Sequence, residues 1–122
     1  MEVRILITAS RDWTNEHAVF GAIYQAIADF SGTCATTTIV HGACPTGGDA
    51  MADRIACGVV ERHPADWRGL GRRAGFVRNA EMVARGATVC LAFIRNASKG
   101  ATHTAGLAER AGIPVRRYIE TG

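Results

Sequence analysis

Thr38-Ile39-Val40-His41-Gly42-Ala43-Cys44-Pro45-Thr46-Gly47-Gly48-Asp49-Ala50 is the stretch that decides the architecture. A β-branched apolar run gives way after His41 to a turn with glycine at positions 42, 47 and 48. Asp49 then stands where an apolar stripe of helical spacing begins, at Met51, Ile55 and Val59. The order reads as strand, glycine turn and helix, with Asp49 as the helix cap. Glycine lets backbone N–H groups approach a ligand closely, and a helix N-terminus carries partial positive charge, so the turn suits a phosphate or a ribose.

Two more polar turns follow apolar runs. Thr8-Ala9-Ser10-Arg11 comes after Val3–Ile7, and Asn96-Ala97-Ser98-Lys99-Gly100-Ala101-Thr102 comes after Val89–Phe93. Between them, Val19, Ile23, Ala26, Ile27 and Phe30 predict a helix over about 15–30, with Thr14 or Asn15 as its cap. Phe76, Ala80, Val83 and Ala84 predict an inward-facing stripe on a helix over 75–85. The remaining elements are strands at Thr37–His41, Ala87–Phe93 and Ile113–Tyr118 and a short helix from Thr102 to Ala111, with Gly86 and Gly112 as stops. Arg62–Gly71 reads as a loop. Strands alternating with short helices predict an α/β fold: a single Rossmann-like domain over 1–122, its mostly parallel sheet of about five strands covered by helices on both faces. In such a sheet the first strand is central and ligands bind at the carboxyl ends of the strands.

Composition sets the frame. The chain has 122 residues, of which 48% are hydrophobic and 20% charged, ordinary values for one globular domain. No run approaches the roughly 20 apolar residues of a membrane span, and Met1-Glu2-Val3-Arg4-Ile5 has no basic, apolar leader, so a soluble cytoplasmic protein is expected. Cys34, Cys44, Cys57 and Cys90 form no C-x-x-C pair, and Cys57 and Cys90 lie in apolar runs, so reduced thiols and no metal or cofactor are expected. The net charge is +3, with all but one of the 14 basic residues arginine. Arg68, Arg72, Arg73, Arg78 and Arg85 cluster, which makes single-stranded nucleic acid a third reading rather than the first.

The P-loop and dinucleotide-binding motifs are absent from the chain. Gly48-Asp49 stands where a P-loop needs Lys followed by Ser or Thr, and Thr8-Ala9-Ser10-Arg11 is not a G-x-G-x-x-G dinucleotide turn. Arg78 is placed to offer a bidentate fork to phosphate, and Asp66 with Trp67 offers a carboxylate and an aromatic face in one loop.

The segments Thr8–Trp13, His41–Ala50, His63–Trp67, Ala74–Met82 and Ala92–Thr102 together resemble the YspA-like branch of the SLOG superfamily, over nearly the whole chain. That superfamily includes the Lonely guy phosphoribohydrolases and the DNA-processing protein A proteins. The resemblance implies a Rossmann-like cleft that holds a nucleotide or a nucleotide-derived phosphorylated ligand, and a homodimer. Arg78-Asn79 and Met82 match the phosphoribohydrolase R-[KN]-x-x-M pattern, whose arginine is catalytic, and Gly100 matches the first residue of the Gly-Thr pair in P-G-G-x-G-T-x-x-E. Ala101 replaces that threonine, and Thr104 stands where the family has its catalytic glutamate. A hydroxyl carries no charge and is no base near neutral pH, so weak phosphoribohydrolase activity is expected.

The leading expectation is therefore ligand binding by Ser10, Arg11, Gly42, Gly47, Gly48, Asp49, Asp66, Trp67, Arg78, Asn79, Ser98, Lys99, Gly100, Ala101 and Thr102 around one cleft. The alternative is cleavage or transfer of an N-glycosidic bond, in which Asp49, Asp66 or Glu81 acts beside Arg78 in place of the missing glutamate.

Overall fold

The computed structural model describes residues 2–121; Met1 and Gly122, the ends of the expected domain, lie outside the described residues. The elements run β1 (Val3–Ala9), α1 (Glu16–Asp29), β2 (Thr37–His41), α2 (Gly47–Ile55), β3 (Val59–Arg62), α3 (Trp67–Leu70), α4 (Ala74–Ala84), β4 (Val89–Arg95), α5 (Lys99–Arg110) and β5 (Val115–Glu120). All strand pairings are parallel, in the order β3-β2-β1-β4-β5, so β1 is central as the alternation predicts. Because the strands are parallel, the turns that leave β1, β2 and β4 emerge at one edge of the sheet.

Alternation along β1 assigns the two faces. Val3, Ile5 and Ile7 join Ile39, Val89, Leu91 and Phe93 beneath Val19, Ile23, Ala26 and Ile27 of α1 and Ala52 of α2. Leu6, Val40 and Cys90 point the other way, beneath Met82 and Val83 of α4 and Ala108 of α5. Both faces are thus covered, which is why the central strands read as continuous apolar runs. Phe93 is fully buried, with Trp13 at 5.4 Å and Tyr118 at 5.0 Å between ring centroids. Asn15 caps α1 through its side chain, which accepts from Ala18 N at 3.1 Å. No helix of the described residues is long and apolar enough to cross a membrane.

Several expectations are corrected by packing. Val59 does not extend the α2 stripe; that helix ends at Ile55, and Val59 opens an edge strand too short and too charged to show a strand period. The expected loop over 62–71 contains the four-residue helix α3, capped by Asp66. Phe76 and Ala80 face outward, and the inward side of α4 is Ala74, Asn79, Met82 and Val83. Helix α5 starts at Lys99 rather than Thr102, because Asn96 and Ala97 both adopt positive φ and turn the chain early. Ala105 of α5 is fully buried.

The cysteine reading is corrected as well. Cys34 and Cys57 form a disulfide, with their Cα atoms 5.1 Å apart, while Cys44 and Cys90 are free. Each bonded cysteine lies two or three residues ahead of one of two neighbouring parallel strands, β2 and β3. Gly58, at φ +82, lets the chain press against Cys34 and Thr37; a Cβ there would sit 2.4 Å from both carbonyl oxygens. With β3 unseen, nothing in the sequence brings the two cysteines together.

Candidate functional site

A cleft of about 620 Å³ lies at the edge where β1, β2 and β4 end, within the range of small-molecule sites. Its floor includes Ile7, Thr8 and Met82. One wall is the Gly42–Pro45 turn, another is formed by Trp67, Arg72, Phe76 and Arg78, and Ser98, Gly100 and Ala101 close the α5 side.

Asp49 is the buried acid of this cleft, 6% exposed. Its Oδ2 accepts from Gly42 N at 3.1 Å and Cys44 N at 3.5 Å, while Oδ1 is buried with no hydrogen-bond partner among the described residues. Burial pushes the Asp49 carboxyl above the usual carboxylate range, against the pull of His41, the two backbone N–H groups and Arg78. The second oxygen is therefore a strong acceptor held ready without a donor, and an unpaired buried acceptor is costly. Neighbouring His41 is fixed as the Nε2–H tautomer: Nδ1 accepts from Ala43 N at 2.9 Å, and Nε2 donates to Asp53 Oδ1 at 2.8 Å.

The raised Asp49 value has a measurable consequence. Its folded pKa lies above the 3.8 of the unfolded chain, so the native state takes up the proton first as pH falls. The melting temperature of wild type relative to Asp49→Asn is expected to rise as pH is lowered from 7 toward 4. A wild-type melting temperature that falls or stays constant relative to the variant on acidification would contradict burial as the dominant influence on this carboxyl.

Arg78 faces Asp49 from α4. Its Nε donates to Asn79 Oδ1 at 2.8 Å, and Nη1 donates to the carbonyls of Gly42 and, at 3.3 Å, His63. Nη2 takes no partner among the described residues. The guanidinium is drawn below its ordinary range by burial, with Asp49 opposing and nearby Arg11 adding to the depression, yet it remains a cation. The His63 carbonyl is itself positioned: His63 Nε2 lies 2.7 Å from Glu61, whose carboxyl also takes both arms of Arg4 at 3.2 and 3.1 Å. Those partners hold Glu61 down at about 2.

The glycines of the turn serve the protein before any ligand. A Cβ at Gly42 would overlap the Arg78 guanidinium, at Gly47 the Ser10 and Arg11 backbone, and at Gly48 the Ala9 side chain, all within 2.7 Å. Gly47 and Gly48 do not line the cleft; they let α2 seat directly on the end of β1. Gly100, in contrast, meets nothing within 4 Å and borders the cleft.

Of the other expected site residues, Arg11, Trp67, Asn79, Ser98 and Ala101 line the cleft with Gly42, Asp49 and Arg78. Ser10 does not: its Oγ accepts from Arg95 N at 2.8 Å and clips β1 to β4. Asp66 is exposed and spends its carboxylate on Gly69 N at 2.9 Å, while Glu81, Lys99 and Thr102 are exposed outside the cleft lining. Of the three carboxylates considered for the alternative chemistry, the cleft therefore contains Asp49. Thr104 is fully buried, donates to Gly100 O at 3.2 Å within α5, and does not reach the cleft. Arg72 and Phe76 are cleft residues the sequence reading missed. Arg72 sits in the tight turn just before α4, and Phe76 was assigned by its spacing to the inward stripe, so neither was read as a cleft residue.

A family model described as "YspA, cpYpsA-related SLOG family" matches residues 3–69, which run from β1 through the Gly42–Asp49 turn to α3. The "Gene 61 protein" of Mycobacterium phage D29 is 40% identical over 123 aligned positions, covering 94% of this chain and 95% of the phage protein. No solved structure matches the chain.

Proposed function

This chain belongs to the YspA, cpYpsA-related SLOG family, and from that premise we propose that its cleft binds a nucleotide or a nucleotide-derived phosphorylated ligand. One arrangement carries the reading: an orphaned, buried carboxylate oxygen on Asp49 and an unengaged guanidinium arm on Arg78, two residues that line one cleft. A ribose supplies hydroxyl donors for the first, and a phosphate supplies acceptors for the second. Trp67 and Phe76, about half exposed at 50% and 47%, add aromatic surface on the same wall. The bonds of Arg78 to Gly42 and His63 hold the arginine in place, so little side-chain freedom is lost when an anion arrives.

A thermal-shift panel of nucleoside mono- and diphosphates, ADP-ribose and ribose 5-phosphate tests the proposal. A ligand at about 100 times its dissociation constant adds roughly 2.7 kcal/mol of stability, a shift of several degrees for a domain of this size. Flat melting curves across the whole panel at millimolar concentration would falsify the reading.

The second reading, N-glycosidic cleavage, is favoured by a specific feature: burial raises the basicity of the Asp49 carboxylate, and one of its oxygens is left without a donor, as a general base requires. In that chemistry Asp49 takes a proton from water as it attacks the ribosyl carbon, and the base leaves with the glycosidic electron pair. Release of free base from nucleotides, abolished in Asp49→Asn, separates this reading from binding alone.

A further inference from the structure

Arg11 and Trp67 face each other across the cleft from different elements, the turn after β1 and the start of α3. The Arg11 guanidinium carbon lies 5.5 Å from the Trp67 ring centroid, a cation–π pair. Arg11 has no carboxylate partner among the described residues, although Arg4, Arg54, Arg62, Arg95, Arg116 and Arg117 each pair with one. Its positive charge is instead directed at the cleft, where it acts against the charge of Arg78. Two mutually repelling guanidinium groups on one cleft favour an anion shared between them.

Gly75 fixes the geometry of the opposite wall. A Cβ at this glycine would lie 3.3 Å from Trp67 Cη2 and 3.9 Å from Arg78 Nη2, so the indole edge and the unengaged arm of Arg78 border the same point. A planar ring stacked on the indole therefore carries its attached sugar and phosphate toward Arg78. The indole is braced from below, because Asp66 caps the single turn of α3 that bears it.

We propose that the face of Trp67 is a nucleobase platform that Arg11 covers until a base takes its place, and that the released Arg11 then joins Arg78 on the phosphates. The inference rests on the nucleotide-binding reading and deepens it: the ligand class is a base-bearing nucleotide with at least two phosphoryl groups, not a sugar phosphate. Stacking on an aromatic face tolerates any base, so Trp67 confers the requirement for a base without choosing which one.

The experiment uses ADP, GDP and ribose 5-phosphate, followed by calorimetry and by tryptophan emission. Trp13 is buried in the core, so emission changes on titration report Trp67, and their loss in Trp67→Phe, a substitution at a half-exposed position, assigns them. Expected are a change in emission with ADP and GDP but not with ribose 5-phosphate, and a loss of about tenfold or more in ADP affinity on Trp67→Ala. Ribose 5-phosphate affinity is expected to stay within about twofold, since stacking supplies none of it. Arg11→Met is expected to weaken ADP and, before nucleotide is added, to raise quenching of Trp67 by acrylamide. ADP and GDP that bind by calorimetry without altering Trp67 emission, or a Trp67→Ala protein that weakens all three probes equally, would overturn the platform while leaving the cleft a nucleotide site. If none of the three binds by calorimetry, the nucleotide-binding reading itself fails and this inference with it.

Discussion

Thr104→Glu is expected to collapse the stability of the domain and to generate no phosphoribohydrolase activity. Thr104 is fully buried on the inner side of α5, with Ala101, Ala105 and Ala108, and its hydroxyl is spent on the Gly100 carbonyl one turn back. A glutamate there brings a larger side chain and an unpaired charge into packed surroundings, a change that costs about 3–5 kcal/mol. A domain of this size has about 5–15 kcal/mol to lose, so the melting temperature should fall by roughly 10–30 °C. Thr104→Val, which keeps the shape and gives up one hydroxyl bond, should cost about 1 kcal/mol. Thermal melts of both variants, with base release assayed below the melting transition, check this. A T104E protein as stable as wild type, or one that gains base release, would show that α5 can turn this position into the cleft.

Arg78→Ala is expected to weaken any phosphate-bearing ligand by about tenfold to a hundredfold, because a charge-assisted hydrogen bond contributes about 1.5–3 kcal/mol. The fold is weakened as well, since Nη1 also serves the Gly42 and His63 carbonyls, and a buried acceptor stripped of its donor costs about 1–3 kcal/mol. Melting temperature and affinity should therefore drop together in Arg78→Ala. Arg78→Lys, which keeps the charge but not the fork, should recover part of each. Affinity must be measured well below the melting transition so that the two losses are separated. If a ligand validated on wild type binds the folded Arg78→Ala protein equally well, Arg78 is a structural brace and not an anion ligand.

How much of this was legible in the chain depends on the range of the interaction that fixes each feature. The strand at Val3–Ile7, which the structure extends to Ala9, the α1 stripe and the Gly42–Asp49 turn follow from local periodicity, and parallel order follows from alternating strands and helices, so fold and sheet edge were readable from residues alone. Arg78 and Asp49 were also readable, because each sits at a motif position that its element delivers to that edge. Other features depend on partners distant in sequence. Cys34 meets Cys57 through the pairing of β2 with β3, Ser10 is drawn into the structure by Arg95, and Gly47 and Gly48 are glycines because β1 passes beneath them. Asp66 and Glu81 matched Asp49 in chemistry, and separating them required knowing that one carboxylate is spent on a helix cap and the other faces away from the cleft. The sequence by itself determined the layers, the central place of β1 and the edge at which the three polar turns emerge, since those depend on hydrophobic period and turn chemistry carried within each segment. Only the tertiary structure decided which polar groups remain unpaired in the cleft, because a hydrogen bond between residues tens of positions apart leaves no period in the chain.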